Sequence, residues 1–121
     1  MDWIYALIAV ALVAVFLLLK RAGQISSKAA VACLRDGAMV IDVRSAAEYT
    51  SAHLPNAVNM PVSEIKALAQ RKIPDKSRVL LLHCQSGMRS GTAKGILRNL
   101  GYANAFNLGS YARAARIVKT H

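Results

Sequence analysis

Acidic residues are scarce: six Asp and Glu stand against sixteen Lys and Arg in 121 residues, a formal net charge of +10. No cation precedes position 20, so the portion from Lys20 onward meets only Asp36, Asp42, Glu48, Glu64 and Asp75 and carries +11. This imbalance favours anionic partners such as lipid head groups or small anions. Nucleic acid is excluded from the expectation, because aromatics are few (6%), the cations are scattered, and no compact basic run or stacking motif occurs. Cysteine is limited to Cys33 and Cys84, which make no disulfide framework in a chain expected to face the reducing cytoplasm. Cys33, Cys84, His53, His83 and His121 show no paired ligand spacing, so neither a metal nor an organic cofactor is expected.

Charged and strongly polar side chains are missing altogether from residues 3–19. Those 17 residues make a helix of about 26 Å, short for a bilayer core but within the spanning range. A cleaved signal peptide carries positive charge ahead of its apolar run; here Asp2 comes before it and Lys20-Arg21 after it. The run therefore reads as a retained anchor, with the C-terminal portion on the cytoplasmic side, Trp3 and Tyr5 at the outer interface, and Lys20 and Arg21 reaching the inner one. The expected organisation is a transmembrane anchor over 1–21, a linker over 22–27 and one domain over 28–121.

The domain alternates short apolar runs with helical periodicity. Ser26 or Ser27 caps a helix to about Asp36, ended by Gly37, with Cys33 near its apolar face as a small hydrophobe. Met39-Val40-Ile41 is a strand leading to Asp42-Val43-Arg44 at its C-terminal edge, and Ser45 caps a short helix bearing Glu48 and Tyr49. Arg44 and Glu48, four apart, are placed to pair. Residues 53–61 turn into a short strand between two prolines. Ser63 caps a third helix with Ile65, Leu68 and Ala69 inside. After the central run Val79 to Leu82, a helix begins past Ser90 with Ala93, Ile96, Leu97 and Leu100 on one face, ended by Gly101. Ala103 to Leu108 is a further strand, Gly109 a turn, and Tyr111 to Lys119 a final basic helix. Alternation of this kind indicates an α/β domain with a mainly parallel sheet flanked by helices.

The chemistry concentrates in His83-Cys84-Gln85-Ser86-Gly87-Met88-Arg89-Ser90. A thiol at the mouth of a buried strand, just before a helix, lies where backbone N–H groups point outward and the helix dipole is positive. Both effects lower a thiol pKa. Gln85 to Ser90 can curl into a nest of N–H donors, Gly87 supplying the unusual backbone, and Arg89 adds a planar cationic fork for an anion. The pattern is that of an activated nucleophile inside an anion cradle.

Three stretches carry a family resemblance: Asp42-Val43-Arg44 with Glu48-Tyr49, His53 to Pro61, and Cys84-Gln85-Ser86-Gly87-Met88-Arg89-Ser90. Over roughly Ser26 to Gly109 the chain resembles a single-domain rhodanese, a sulfurtransferase family, here with an N-terminal anchor. The resemblance implies that Cys84 is the nucleophile and persulfide carrier and that Gln85, Ser86, Gly87, Met88, Arg89 and Ser90 bind substrate. Asp42 and Arg44 form a supporting network, and His53 belongs to a framework turn. Cysteine phosphatases also place a His before the Cys, but with five residues between Cys and Arg; here four intervene, a smaller cradle suited to sulfur. Two departures stand out. Many active members have a basic residue after the Cys, where this chain has Gln85, which lowers the expected affinity for a dianion such as thiosulfate. Gly109-Ser110-Tyr111 replaces a Gly-Gly pair followed by an aromatic anchor.

The expected function is transfer of sulfane sulfur from an anionic donor, thiosulfate-like or a persulfide, to a thiol or other thiophilic acceptor through a Cys84 persulfide. A protein is among the acceptors considered. The competing readings are a non-enzymatic, membrane-tethered binding or redox-sensing module and, behind it, a cysteine phosphatase.

Overall fold

Leu80, Leu81 and Leu82 are apolar toward both sides of any strand they form, and such a run finds burial only in a sheet covered on both faces. The computed structural model, which describes residues 1–120 with the side chains of 19–22 left outside, places them there. A four-stranded, wholly parallel sheet has the order β2 (Val58–Asn59), β1 (Met39–Asp42), β3 (Leu80–Cys84), β4 (Ala105–Ser110). All five residues of β3 are buried.

Among the described residues there are six helices, α1 (Asp2–Ala22), α2 (Ser27–Arg35), α3 (Ala46–Ser51), α4 (Ile65–Lys72), α5 (Met88–Asn99) and α6 (Tyr111–Thr120). On one face α4 and α5 cover Leu80, Leu82 and Cys84 with Ile65, Ala69, Ala93 and Leu97. On the other, α2 and α6 cover Leu81 with Ala30, Ala114 and Ile117, and Cys33 packs half-buried among them. Buried Tyr102 ties the layers together by placing its hydroxyl against the Ala69 and Ile73 carbonyls at the end of α4, where a helix leaves acceptors without intrahelical partners.

Local capping follows the sequence at two helices and departs from it at two. Ser26 caps α2, and Ser45 with Glu48 forms a reciprocal capping box on α3. Ser63 does not cap α4, whose N-cap is Glu64 with no side-chain bond. The helix expected after Ser90 begins at Met88 instead, so that Arg89 and Ser90 lie in its first turn. Gly109 is not a turn but part of β4: opposite His83 the register shifts, and Gly109 takes φ +102° to carry the strand on to Ser110. The segment just before α2 adds to the sheet edge through a parallel bridge of Gln24 with Asn107, the Ile25 N–H donating to the Asn107 carbonyl at 3.0 Å.

Among the described residues no helix is long and apolar enough to cross a membrane, so the transmembrane helix expected over 3–19 is not shown. The expected span ends on Leu19, whose side chain, like those of Lys20 and Arg21, lies outside the described residues; so does His121. Within α1, Trp3, Tyr5, Leu7, Val10, Leu12 and Leu18 are all more than half exposed.

Candidate active site

Strand β3 delivers Cys84 to the C-terminal edge of the sheet, the edge at which open parallel sheets bind ligands. Its side chain is wholly buried. Gly87 follows with φ +94°, a conformation costly for any residue with a Cβ, and it becomes the N-cap of α5. A glycine cap has no side chain to accept the free N–H groups of the first turn. The sulfur does so instead: Sγ accepts from Gly87 N at 3.0 Å, Ser90 N at 3.4 Å and the Ser90 hydroxyl at 3.5 Å. This explains why α5 starts a turn early.

Burial pushes the Cys84 thiol up, but the Ser90 hydroxyl and the Ser90, Gly87 and Ser86 N–H groups outweigh it, leaving the pKa below the ordinary thiol value. Each donor favours the charged form. Ser90→Ala is therefore expected to shift the pH midpoint of Cys84 alkylation upward, and an unchanged midpoint would remove Ser90 from this account.

Gln85 and Ser86 are exposed at the mouth, and Met88 is 66% exposed on its rim. Arg89 is not turned into the cradle. Its guanidinium meets Glu48 of α3 in a two-pronged ion pair, Nη1 to Oε1 at 2.6 Å and Nη2 to Oε2 at 3.0 Å, at a partly exposed position. Arg89, with the Ser45 backbone N–H next, draws the Glu48 carboxyl down to about 2. A carboxyl with a depressed pKa keeps its favourable contribution above the unfolded value and loses it as pH falls toward the folded one. The clamp thus persists through mildly acidic pH and opens only near pH 2.

The expected pairing of Arg44 with Glu48 is corrected by the same geometry: Glu48 is taken by Arg89, and Arg44 folds back on Asp42. Arg44 Nη2 lies 2.8 Å from Asp42 Oδ2, Nε reaches both carboxylate oxygens at 3.1 Å, and the Arg44 backbone N–H also donates to Asp42. Arg44 also donates to the Ala52 carbonyl at 2.6 Å and lies 4.6 Å from the Tyr111 ring. These bonds anchor α3 and α6 to the sheet edge beneath the loop. Ser110 accepts the Arg113 N–H at the start of α6, so the Ser-Tyr pair supplies both a helix cap and an aromatic anchor. His53 stacks on Tyr49 at 3.8 Å with Nδ1 at the Tyr49 carbonyl, in a surface turn away from the sulfur. His83 is buried with neither ring nitrogen hydrogen-bonded, and desolvation holds its pKa below the usual imidazole value. It packs edge-on to Tyr111. Among the described residues no group of acidic, His and Cys side chains could hold a metal ion.

Asn107 of β4 is the residue that sequence reasoning missed. It is 5% exposed and binds the cradle from behind, with Oδ1 accepting from the Ser90 hydroxyl at 2.7 Å and Gly109 N–H at 2.9 Å and Nδ2 donating to the Gly87 carbonyl at 3.0 Å. An Asn flanked by Phe106 and Leu108 within the strand was the available signal, though Asn104 three residues earlier offers the same one.

Residues 26–113 match the family described as Rhodanese-like domain. The chain is similar to thiosulfate sulfurtransferase PspE of Escherichia coli, 38% identical over 57% of this chain and 66% of that protein. It is also similar to thiosulfate:glutathione sulfurtransferase of Saccharomyces cerevisiae, 32% identical over 54% of this chain and 55% of that one. The chain thus spans two thirds or less of these curated relatives. Human single-domain sulfurtransferase TSTD1 superposes with a TM-score of 0.66 at 30% identity, covering 78% of this chain and 96% of that one. A rhodanese with anions from E. coli gives 0.61 at 34% identity, over 64% and 91%. A parallel sheet that ends in a Cys-headed loop closed onto α5, matched along most of its length by these relatives, places the chain in the rhodanese-like domain family.

Proposed function

We propose that the chain is a rhodanese-like sulfurtransferase that carries sulfane sulfur as a Cys84 persulfide. The observation that carries the reading is the convergence of Gly87 N–H, Ser90 N–H and the Ser90 hydroxyl on Sγ, an arrangement that stabilises a charged sulfur. In the first step the thiolate attacks the outer sulfur of a thiosulfate-like anion. A bond forms from Sγ to that sulfur, the donor's S–S bond breaks, and sulfite leaves with the electron pair. The terminal sulfur of the persulfide then bonds to an acceptor thiolate, and the Cys84 thiolate is regenerated. Thiosulfate as donor and a low-molecular-weight thiol as acceptor are the classes that the relatives' names suggest; a protein thiol is a further candidate. Exposure of the full chain to a sulfane donor is expected to add one sulfur by intact mass, and failure of every donor would remove this reading.

Gln85, Ser86, Gly87, Met88, Arg89 and Ser90 form the substrate mouth in this proposal, with Asp42 and Arg44 bracing it. The fork of Arg89 is neutralised by Glu48 and Gln85 adds no charge, so dianionic donors bind weakly. Glu48→Gln keeps the α3 cap but frees Arg89. It is expected to lower KM for thiosulfate several-fold with kcat little changed, and an unchanged KM would show that Arg89 does not meet the donor. The phosphatase alternative needs the fork to face the sulfur, and its orientation toward Glu48 speaks against that. The same orientation is what favours the second reading, a binding or redox-sensing module, for which partner retention is equal in wild type and Cys84→Ser.

The localisation we propose is attachment of residues 3–19 to a membrane with the domain on the cytoplasmic side. The exposed apolar side chains of α1 and the Lys20-Arg21 pair that follows support this reading. Labelling of a cysteine introduced near Asp2 by an impermeant reagent from outside tests it; protection there with reactivity inside reverses the topology.

A further inference from the structure

The Ser90 hydroxyl has one proton and two acceptors. Asn107 Oδ1 lies 2.7 Å from Ser90 Oγ, the usual O–H···O separation, and Cys84 Sγ lies 3.5 Å away. The Asn107 amide cannot flip to end the contest: the Gly109 N–H, which only donates, meets Oδ1, and the Gly87 carbonyl, which only accepts, meets Nδ2. All three contenders are closed to solvent, Ser90 and Cys84 at 0% and Asn107 at 5% exposure, so water does not relieve the shortage.

We propose that Asn107 is a positioning residue that holds the Ser90 hydroxyl proton in competition with the Cys84 sulfur and thereby limits how acidic the thiol becomes. In the neutral state Ser90 donates to Asn107 and its oxygen is open to the weak S–H donor of Cys84. When the thiol ionises, the charged sulfur becomes the stronger acceptor, and the hydroxyl rotates toward it at the expense of the bond to Asn107. Part of the gain from the third donor is thus offset by a lost hydrogen bond. The thiolate that results is less stabilised, and therefore more nucleophilic, than one with three uncontested donors, since nucleophilicity falls with thiol pKa. The charged and titratable groups near the sulfur are Arg89 of α5, already neutralised by Glu48 of α3, the Asp42–Arg44 pair of the β1 edge, and His83, which packs with Tyr111 of α6. None of them contacts the Ser90 hydroxyl in its bonded arrangement.

The proposal concerns the site assigned above to sulfur transfer but is read by alkylation, so it survives or fails independently of that activity. In a Cys33→Ser background, the pH midpoint of Cys84 alkylation is measured in the full chain for Asn107→Leu, Ser90→Ala and the double variant. Loosening of the loop acts whether or not Ser90 is present; release of the hydroxyl needs Ser90. Asn107→Leu is therefore expected to place the midpoint lower, by about half a pH unit or more, with Ser90 present than its effect in the Ser90→Ala background accounts for. An equal effect in both backgrounds, or a greater upward one with Ser90, overturns the proposal. Should Asn107→Leu lose its native circular dichroism, Asn107→Asp keeps the acceptor and strengthens its hold on the hydroxyl. Its upward shift is then expected to be larger with Ser90 than without, and equal shifts overturn the proposal.

Discussion

Cys84→Ser is expected to abolish the proposed sulfur transfer and to take up no sulfur from any sulfane donor, with turnover falling to the uncatalysed background. A serine hydroxyl forms no S–S bond and stays un-ionised at neutral pH, whereas the donors around Sγ hold the thiol pKa below its ordinary value and so favour the nucleophilic thiolate. The substitution is not structurally silent. Sγ caps the first turn of α5 in place of a Gly87 side chain, and a hydroxyl oxygen on its shorter bond reaches those N–H groups less well, a loss of about 1 kcal/mol on the scale of helix caps. Intact-mass analysis after donor exposure, beside circular dichroism, separates the two effects. Sulfur gained equally by Cys84→Ser would transfer the chemistry to Cys33 and end the assignment.

Asp42→Ala is expected to produce the largest loss of stability of any single substitution near the site. Asp42 is wholly buried and Arg44 nearly so, and the carboxylate accepts the Arg44 backbone N–H as well as the Nε and Nη2 groups along one edge of the guanidinium. Removing it leaves a buried cation without its counter-charge, which costs about 3–5 kcal/mol where such pairs are broken, a large share of the roughly 5–15 kcal/mol that holds a domain folded. Replacing the pair together, Asp42→Ala with Arg44→Met, is expected to recover much of that loss, because the desolvated charge is gone. Denaturant unfolding of the full chain measures both; a cost below about 1 kcal/mol for Asp42→Ala would mean that Arg44 finds solvent or another partner.

Much of the fold was legible in local patterns. The run Leu80-Leu81-Leu82 declared a strand buried on both faces, and Ser26, Ser45 and Gly37 marked helix ends, because capping and left-handed terminators are decided within a few residues. Legibility failed where an element's boundary depended on a remote group. The start of α5 at Met88 rests on the Cys84 sulfur acting as its cap, and Gly109 stays in β4 because the register shifts against His83. Ion pairing failed for the same reason. Arg44 and Glu48 sit at helix-pair spacing, but Arg44 precedes α3, and Glu48 was free to meet Arg89 from 41 positions away.

Period, turn chemistry and composition along the chain were enough to establish three things: the alternation of strands and helices, the position of Cys84 at a strand end ahead of a glycine and a helix, and the separation of an apolar N-terminal run from a basic domain. Where the polar groups of the site point was left to the packed fold. It turned Arg89 outward to Glu48, closed Asp42 on Arg44, and set Asn107 behind Ser90. Hydrogen-bond and ion-pair partners are chosen among groups brought together by the crossing of strands, and burial then makes each choice costly to leave unmade.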